Sequence, residues 1–327
     1  MSVRVLVLDP VHDDGMSLLH ARPDIEVVHL PDPTPDTISP EMEKADILIL
    51  RGRYLPEEDF ERAGRLRLVS RHGVGCDNLD LPRLKERQIG VAVAADANAI
   101  SVAEHAFALM LAGAKNLLVA DRSVRGNNWA KRGAMDAFEL SGRTVLVVGF
   151  GRIGRGFAER AAAFGMNILV HDPFLPANAV LASHVTRADD LDAALGEADV
   201  VSLHLPMSEA NRDLFDAARF ARMRPGALLV NTARGGIVNE HDLADALDRG
   251  RPGRYATDVL ADEPPKTDNP LLGREDVILC PHSAAMTAEG VIRMATRSAQ
   301  NVLDYLDGTL APDMTVVEPT PFQGDAR

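Results

Sequence analysis

Three short segments late in the chain hold side chains suited to moving protons and gripping carboxylates: "VNTARGGIVNE" (230–240), "DVLADEPP" (258–265) and "CPHSAAMT" (280–287). They offer Arg234, Glu263 and His282. A histidine titrates near neutrality and can take the proton of a hydroxyl as a hydride leaves its carbon. A neighbouring carboxylate such as Glu263 raises that pKa and fixes the ring. A guanidinium such as Arg234 holds a carboxylate through paired hydrogen bonds while polarising an adjacent carbonyl. Taken singly, Arg234 reads as a surface ion-pair partner, Glu263 as loop charge and His282 as a helix cap. Taken together, each behind an apolar strand-like run, they read as an acid–base set for oxidoreduction of a hydroxy acid.

A second pattern lies upstream. "VLVVGFGRIG" (145–154) sets Gly149, Gly151 and Gly154 in a G-x-G-x-x-G directly after an apolar run and directly before a helix-like segment. The first glycine permits a tight turn, the second lets backbone approach a pyrophosphate, and the third lets helix and strand pack closely. The phosphates would lie at the helix N-terminus, where free N–H groups and the helix dipole favour anions. Such a motif alone is weak. The next strand-like run, "NILVHDP", adds Asp172 eighteen residues after Gly154, near the spacing of about 20 for an acid that accepts from the adenosine ribose hydroxyls. The same carboxylate repels a 2′-phosphate, and no Lys or Arg follows until Arg187, so NAD is favoured over NADP. The plainer reading, in which Asp172 merely opens a turn before Pro173, is outweighed by the glycines in their setting.

To bring such groups together, the chain needs strands that end along one edge. Near-continuous apolar runs recur from the start, at Val3–Leu8, Ile25–Leu30, Ile47–Leu50, 66–70 and 91–94, with amphipathic stretches such as 56–65 and 81–88 between them. A second series opens at Thr144, with runs at 145–148, 167–170, Val200–Leu203, 228–230, near Tyr255 and at Val277–Leu279. Buried strands alternating with helices indicate α/β structure with parallel sheets covered on both faces. Two doubly wound parallel-sheet domains follow, as 327 residues exceed the usual reach of one core. A long amphipathic helix is expected at about 287–305, followed by an extended Pro-rich tail.

Composition narrows the partners. Lys plus Arg number 35 against 48 Asp plus Glu, a formal net charge of −13, which opposes nucleic-acid or anionic-membrane binding. A local cluster of arginines still suits a small anion. Cys76 and Cys280 stand alone, outside any metal-type spacing, and read as small buried fillers in a reducing, cytoplasmic setting. No metal site is expected. No basic segment precedes a long apolar core at the N-terminus. Residues 100–120 are apolar but interrupted by Glu104, His105, Lys115 and Asn116, which reads as a buried helix rather than a membrane span.

With these residues in place, the chain closely resembles the D-isomer-specific 2-hydroxyacid dehydrogenase family, in its phosphoglycerate dehydrogenase-like branch. The resemblance spans almost the whole chain, through "RHGVGCDNLD", "NAISVAEHAFALML", "GRTVLVVGFGRIG", "LHLPMSEANRDLF", "NTARGGIVNE", "DVLADEPP" and "PHSAAMTAE". It implies a Rossmann NAD domain, 100–285, inserted into a flavodoxin-like substrate domain, 1–99 and 286–327, with hinges near Asn98 and Ala285. It also implies His282 as acid–base catalyst, Glu263 as its partner and Arg234 as the substrate clamp. Arg152 and Ile153 would meet the pyrophosphate through backbone, Pro206 the adenine, Thr232 and Ala233 the nicotinamide ribose, and Asp258 the carboxamide. The N–H groups of Val74 and Gly75 resemble the family's carboxylate-binding loop. Asn211 stands where Thr is usual and Asn239 where Asp is common, neither catalytic. No regulatory C-terminal domain, and so no serine feedback, is expected.

The substrate side chain is expected to meet the first domain, where Arg51, Arg53 and Arg71 could read a second anionic group or simply form a solvated rim. Hydroxypyruvate, glyoxylate, 3-phosphoglycerate and sulfolactate types all remain open. In relatives the segment around Trp129 crosses a dimer interface, so a homodimer is expected, the alternative being a Trp buried in its own subunit. Two rival readings stand: an NAD(H)-sensing corepressor-like scaffold, and a phosphite dehydrogenase. Formate enzymes of this fold pair their histidine with Gln, which Glu263 opposes.

Overall fold

The structure is a computed structural model that describes residues 2–134 and 136–322; the last residues of the expected substrate domain, 323–327, lie outside them. The chain divides into two units, one formed by the residues up to Asn98 and from Met286 onward, the other by Ala99–Ala285. The divisions fall after Asn98 and after Ala285.

The first unit runs β1 (Val3–Leu8), α1 (Asp13–His20), β2 (Ile25–Leu30), α2 (Pro35–Met42), β3 (Ile47–Leu50), α3 (Glu57–Arg62), β4 (Leu68–Arg71), α4 (Leu81–Glu86) and β5 (Gly90–Val93). The second begins with α5 (Ala99–Ala114) and α6 (Leu117–Arg125). It continues through β6 (Thr144–Val148), α7 (Arg152–Ala163), β7 (Asn167–His171), β8 (Val185–Arg187), α8 (Leu191–Leu195), β9 (Val200–Leu203), α9 (Ala217–Arg222), β10 (Leu228–Asn231), α10 (Glu240–Asp248), β11 (Arg254–Thr257) and β12 (Val277–Leu279). The chain then returns to the first unit with α11 (Ala288–Leu306) and β13 (Thr315–Val317).

In the first sheet the strand order is β13-β5-β4-β3-β1-β2, parallel except for β13, which pairs antiparallel with β5. The tail expected to be merely extended thus closes one sheet edge. Without β13 the order is that of flavodoxin-like sheets. β3 and β5 are buried at every residue, which is why they read as unbroken apolar runs. α11 packs on α1 and on β3, β4 and β5, filling one face with Ala295, Ala299, Val302 and Tyr305. The strand expected at 66–70 lies two residues later, because its register runs from Leu68 against Ile47 to Arg71 against Leu50.

The second sheet, β12-β11-β10-β9-β6-β7-β8, is parallel throughout and doubly wound about β6. The strand order reverses between β6 and β9, and such a switch point opens a crevice at the carboxyl ends. The apolar stretch 100–120 is not one helix. Asn116 adopts φ +51° and splits it into α5 and α6, which bend by 61°. α5 is mostly buried against α7, β10 and β11. No single helix among the described residues is long and apolar enough to cross a membrane.

Candidate active site

The glycine turn leaves β6 at the switch point. Gly149 has φ +92°, and a Cβ there would lie 2.5 Å from the His204 carbonyl oxygen. A Cβ on Gly154 would lie 2.1 Å from the Gly149 carbonyl oxygen, so helix and turn meet as glycine alone allows. Gly151 is different: a Cβ there would meet nothing within 4 Å, which leaves its outer side open to a ligand. It is also the N-cap of the twelve-residue α7, whose N-terminus carries no side-chain cap. These features fit a dinucleotide pyrophosphate seated on Arg152 and Ile153.

Asp172 follows β7 and does two local jobs. One oxygen accepts from the Phe150 N–H at 2.8 Å, bracing the glycine turn, and the other accepts from the Phe174 N–H at 2.9 Å, closing the turn after Pro173. The turn-opening reading of Asp172 is seen in the Phe174 bond, and the carboxylate keeps lone pairs with which ribose hydroxyls could bond. Behind β9, the buried His204 ring bonds Ser202 Oγ through Nε2 at 2.9 Å, and burial pushes its pKa down to about 3. The loop then passes Pro206, whose carbonyl accepts from Asn211 Nδ2 at 2.8 Å. Asn211 thus ties down the loop expected to line the adenine.

At the end of β10 the organiser is Asn231, which sequence reasoning passed over. Wholly buried, its side chain accepts from the Ala233 N–H at 2.9 Å and donates to the Arg234 carbonyl at 2.9 Å. A polar residue closing a buried strand in "LLVN" was the available signal. Thr232, inside this turn, keeps a buried hydroxyl without a hydrogen-bond partner, which suits the expected ribose contact. Gly235 lets the turn press on the next loop: a Cβ there would lie 1.9 Å from the Leu260 carbonyl carbon. Glu240 was likewise missed. It accepts from the Ala261 N–H at 2.8 Å and from Asn269 Nδ2 at 2.6 Å, fixing the loop that carries Glu263.

Glu263 Oε2 lies 2.6 Å from His282 Nδ1, and Oε1 accepts from the Leu260 N–H at 3.0 Å. The Glu263 hydrogen bond is the largest influence on His282 and lifts its pKa above the usual imidazole value against partial burial. Burial alone would raise the Glu263 carboxyl; the His282 and Leu260 bonds and the nearby charges outweigh it and hold the carboxyl low. Arg234 acts on both groups, drawing each pKa down. His282 itself sits at φ +51°, a left-handed conformation uncommon outside glycine. The turn is pinned by Asp258, buried to 1%, which accepts from the Ser283 N–H at 2.8 Å and the Ala284 N–H at 2.7 Å. Asp258, expected only near a carboxamide, is thus also what holds the histidine loop. His105, Asp258 and Cys280 bring ligand-type atoms within 4.8 Å of one another. Burial and Asp258 raise the Cys280 thiol pKa. Cys76 and Cys280 are both only partly buried, a correction to their reading as buried fillers.

In the first unit, the Val74 and Gly75 N–H groups lie in a loop after β4 and have no acceptor among the described residues. The three arginines differ. Arg53 is held by Asp9 through Nε at 3.1 Å and Nη2 at 2.7 Å, and Arg71 bonds Asn78 and the carbonyls of Leu50 and His72. Both make bonds to the framework of the loop. Arg51 contacts the Pro10 carbonyl at 3.3 Å and Met286 Sδ at 3.2 Å, with no carboxylate partner among the described residues. His72, beside them, is buried with both ring nitrogens unpartnered; burial, then Arg51 and Arg71, push its pKa down to about 4.

Comparison with known proteins agrees with this architecture. Residues 107–284 match the model of the D-isomer specific 2-hydroxyacid dehydrogenase NAD binding domain. D-3-phosphoglycerate dehydrogenase of Methanocaldococcus jannaschii is 37% identical over 313 residues, covering 95% of this chain and 59% of that protein. The chain therefore spans less than two thirds of the length of this curated relative. Among solved structures, D-lactate dehydrogenase from Aquifex aeolicus, complexed with NAD and lactic acid, superimposes with a TM-score of 0.84 at 28% identity, covering 97% of this chain and all of that one. NAD-dependent formate dehydrogenase from Staphylococcus aureus, in complex with NAD, gives a TM-score of 0.86 at 27% identity, with the same coverage. The matched domain takes in more than half of the 327 residues and includes the glycine turn, Arg234, Glu263 and His282, so the chain belongs to the D-isomer-specific 2-hydroxyacid dehydrogenase family and carries its NAD-binding domain.

Proposed function

We propose that this protein is an NAD-dependent dehydrogenase interconverting a D-2-hydroxy acid and its 2-keto acid. The observation that carries this reading is the His282–Glu263 pair at 2.6 Å under the influence of Arg234, on loops at the carboxyl ends of the sheet that bears the glycine turn. NAD, when bound, accepts or supplies the hydride. With Nδ1 engaged by Glu263, His282 has Nε2 for the substrate oxygen: neutral, it takes the hydroxyl proton, and protonated, it returns one to the carbonyl. Glu263 fixes the tautomer and stabilises the imidazolium. Arg234 grips the substrate carboxylate and polarises the carbonyl; in the first unit, the Val74 and Gly75 N–H groups offer a backbone nest of the kind that takes a carboxylate. Asp172 takes the adenosine ribose, Pro206 the adenine side, Thr232 and Ala233 the nicotinamide ribose, and Asp258 the carboxamide.

For the substrate we infer a small acid whose far end carries a second anion, of the 3-phosphoglycerate type, with Arg51 as its reader. The lack of a carboxylate partner for Arg51 among the described residues and the name of the M. jannaschii relative support this. Glu263, where formate enzymes have Gln, supports a hydroxy acid over formate. Trp129 is 68% exposed, against its alternative reading as a Trp buried in its own subunit, and with exposed Leu117 and Val124 it supports a homodimer. Two free cysteines support a cytoplasmic setting.

The test is NADH consumption against glyoxylate, hydroxypyruvate, its 3-phosphate, sulfopyruvate and lactate's keto acid, with phosphite and NAD in parallel. Turnover of a keto acid is expected, with His282→Ala reducing kcat by about 10²–10⁴-fold while NADH still binds. NADH binding without turnover of any keto acid would overturn the enzymatic reading in favour of a sensing role. Comparable loss of NADH binding in His282→Ala would make that residue structural.

A further inference from the structure

The second unit carries a recess at the amino ends of its strands, the opposite edge from the glycine turn. Arg143 precedes β6, Asp199 precedes β9, Arg224 lies just ahead of β10 and Arg254 opens β11. With Asp136 and Phe138 they line a hollow of about 240 Å³, enough for a phosphate monoester or small dicarboxylate. Three guanidiniums converge here on a chain whose net charge is −13. They are held apart by a shared carboxylate and a ring. Asp199 accepts from Arg143 at 2.9 Å and from the Thr144 N–H at 3.0 Å, and it pairs with Arg224 at 3.1 Å. The Phe138 ring has the Arg143 guanidinium 4.6 Å from its centroid and that of Arg254 at 5.7 Å.

The pairing is uneven. Among the described residues Arg224 contacts only Asp199 and is 48% exposed, leaving donors free toward the hollow. Arg254 is nearly buried, anchored by the Gly113 carbonyl at 3.1 Å and the Asp136 carbonyl at 3.0 Å. Its charge is met by the Asp136 side chain, which is 82% exposed. Asp136 is a surface carboxylate that pairs with a buried guanidinium and accepts from Asn116 Nδ2 at 2.7 Å, so an external anion competes with it for the guanidinium while Asn116 can hold the displaced side chain or release it. A dianion offers more acceptor oxygens in fork geometry than one exposed carboxylate, so it can displace that side chain into solvent.

We propose that this recess is a binding site for a small dianion, held by Arg143, Arg224 and Arg254 once Asp136 swings out. The site is separate from the proposed dinucleotide seat. The strands β6, β10 and β11 join the two edges over about 15 Å at 3.3 Å per residue.

The probe is inorganic phosphate, titrated into the full chain with saturating NADH at constant ionic strength and followed by calorimetry. Saturable binding is expected, weakened by about tenfold or more in Arg224→Ala. Asp136→Asn removes the resident competitor and is expected to tighten phosphate by about threefold or more, an effect that a merely structural Asp136 would not produce. NADH affinity verifies that each variant is folded, and Asp136→Asn carries the test if Arg224→Ala fails to fold. Phosphate binding unchanged in Arg224→Ala, unchanged or weaker in Asp136→Asn, or merely tracking ionic strength overturns the proposal. The readout is phosphate occupancy, so it stands or falls apart from the dehydrogenase reading.

Discussion

His282 works from a conformation that histidine adopts rarely, and the residues around it explain why it is held there. Asp258 ties down the two N–H groups that follow, and Glu263 fixes the ring. Because the Glu263 bond is the main cause of the raised His282 pKa, Glu263→Gln should lower it, leaving burial and Arg234 opposed by the weaker pull of Asp258. On the proposed mechanism, keto-acid reduction uses protonated His282, so its rate is expected to fall as pH rises through that pKa. The alkaline limb of the reduction profile should therefore move to lower pH in Glu263→Gln, and hydroxy-acid oxidation should persist further into acid. An unmoved limb would remove Glu263 from control of the proton. Asp172→Ala should weaken NADH and narrow the preference for NAD over NADP, and because Asp172 also braces the Phe150 N–H, it should loosen the glycine turn. Titrations with both cofactors decide this, and an unchanged ratio would leave Asp172 only the bracing role. Arg234, Glu263 and His282 were legible as residue types in strand-following loops. Asn231 and Glu240 were not, because their roles are hydrogen bonds to loops distant in sequence, and neither carries a motif.

At the scale of elements, the site is a set of loops whose separation is set by glycines. Gly235 and Gly151 make opposite predictions. A Cβ on Gly235 meets backbone of Leu260 and Ala261, so Gly235→Ala must push the Arg234 turn away from the Glu263 loop. It is expected to lower stability by about 1–3 kcal/mol and to reduce kcat. A Cβ on Gly151 meets nothing within the protein, so Gly151→Ala should leave the melting temperature nearly unchanged while weakening NADH where backbone and pyrophosphate approach. Thermal melts beside NADH titrations separate the two, and equal destabilisation would mean that Gly151 is structural. The strands themselves were readable because both sheet faces are covered, which makes runs such as Ile47–Leu50 apolar throughout. β13 was not: three residues join the sheet only through pairing with β5, more than 200 positions away, and nothing local marks a strand. The break at Asn116 was visible only as the polar pair Lys115 and Asn116 in an apolar stretch, which marks an interruption without fixing a bend.

Across the whole molecule, each unit holds a histidine kept uncharged, the buried His72 in the first and the partly buried His204 in the second. Burial lowers both pKa values, to about 4 and about 3, from an ordinary value of 6.5. The sign follows from linkage. Between the folded and unfolded values the unfolded chain binds more protons, so stability is greatest above pH 6.5 and is lost as pH falls toward the folded values. Each shift corresponds to a few kcal/mol, on the order of 3 for His72 at 1.36 kcal/mol per unit. Neither His72 nitrogen has a partner, so replacing the ring with an apolar side chain of similar size leaves no polar group stranded. His72→Leu should therefore match or exceed the parent chain in acid, where the parent must unfold to charge its imidazole. Denaturant midpoints measured by circular dichroism at about pH 7.5 and about pH 5 should fall less with acidification in His72→Leu than in the parent. An equal or larger fall would mean that His72 reaches solvent or a partner in the folded protein and is not the source of acid sensitivity in the first unit. His204, bonded to Ser202, would then remain as the buried imidazole whose charging opposes the fold.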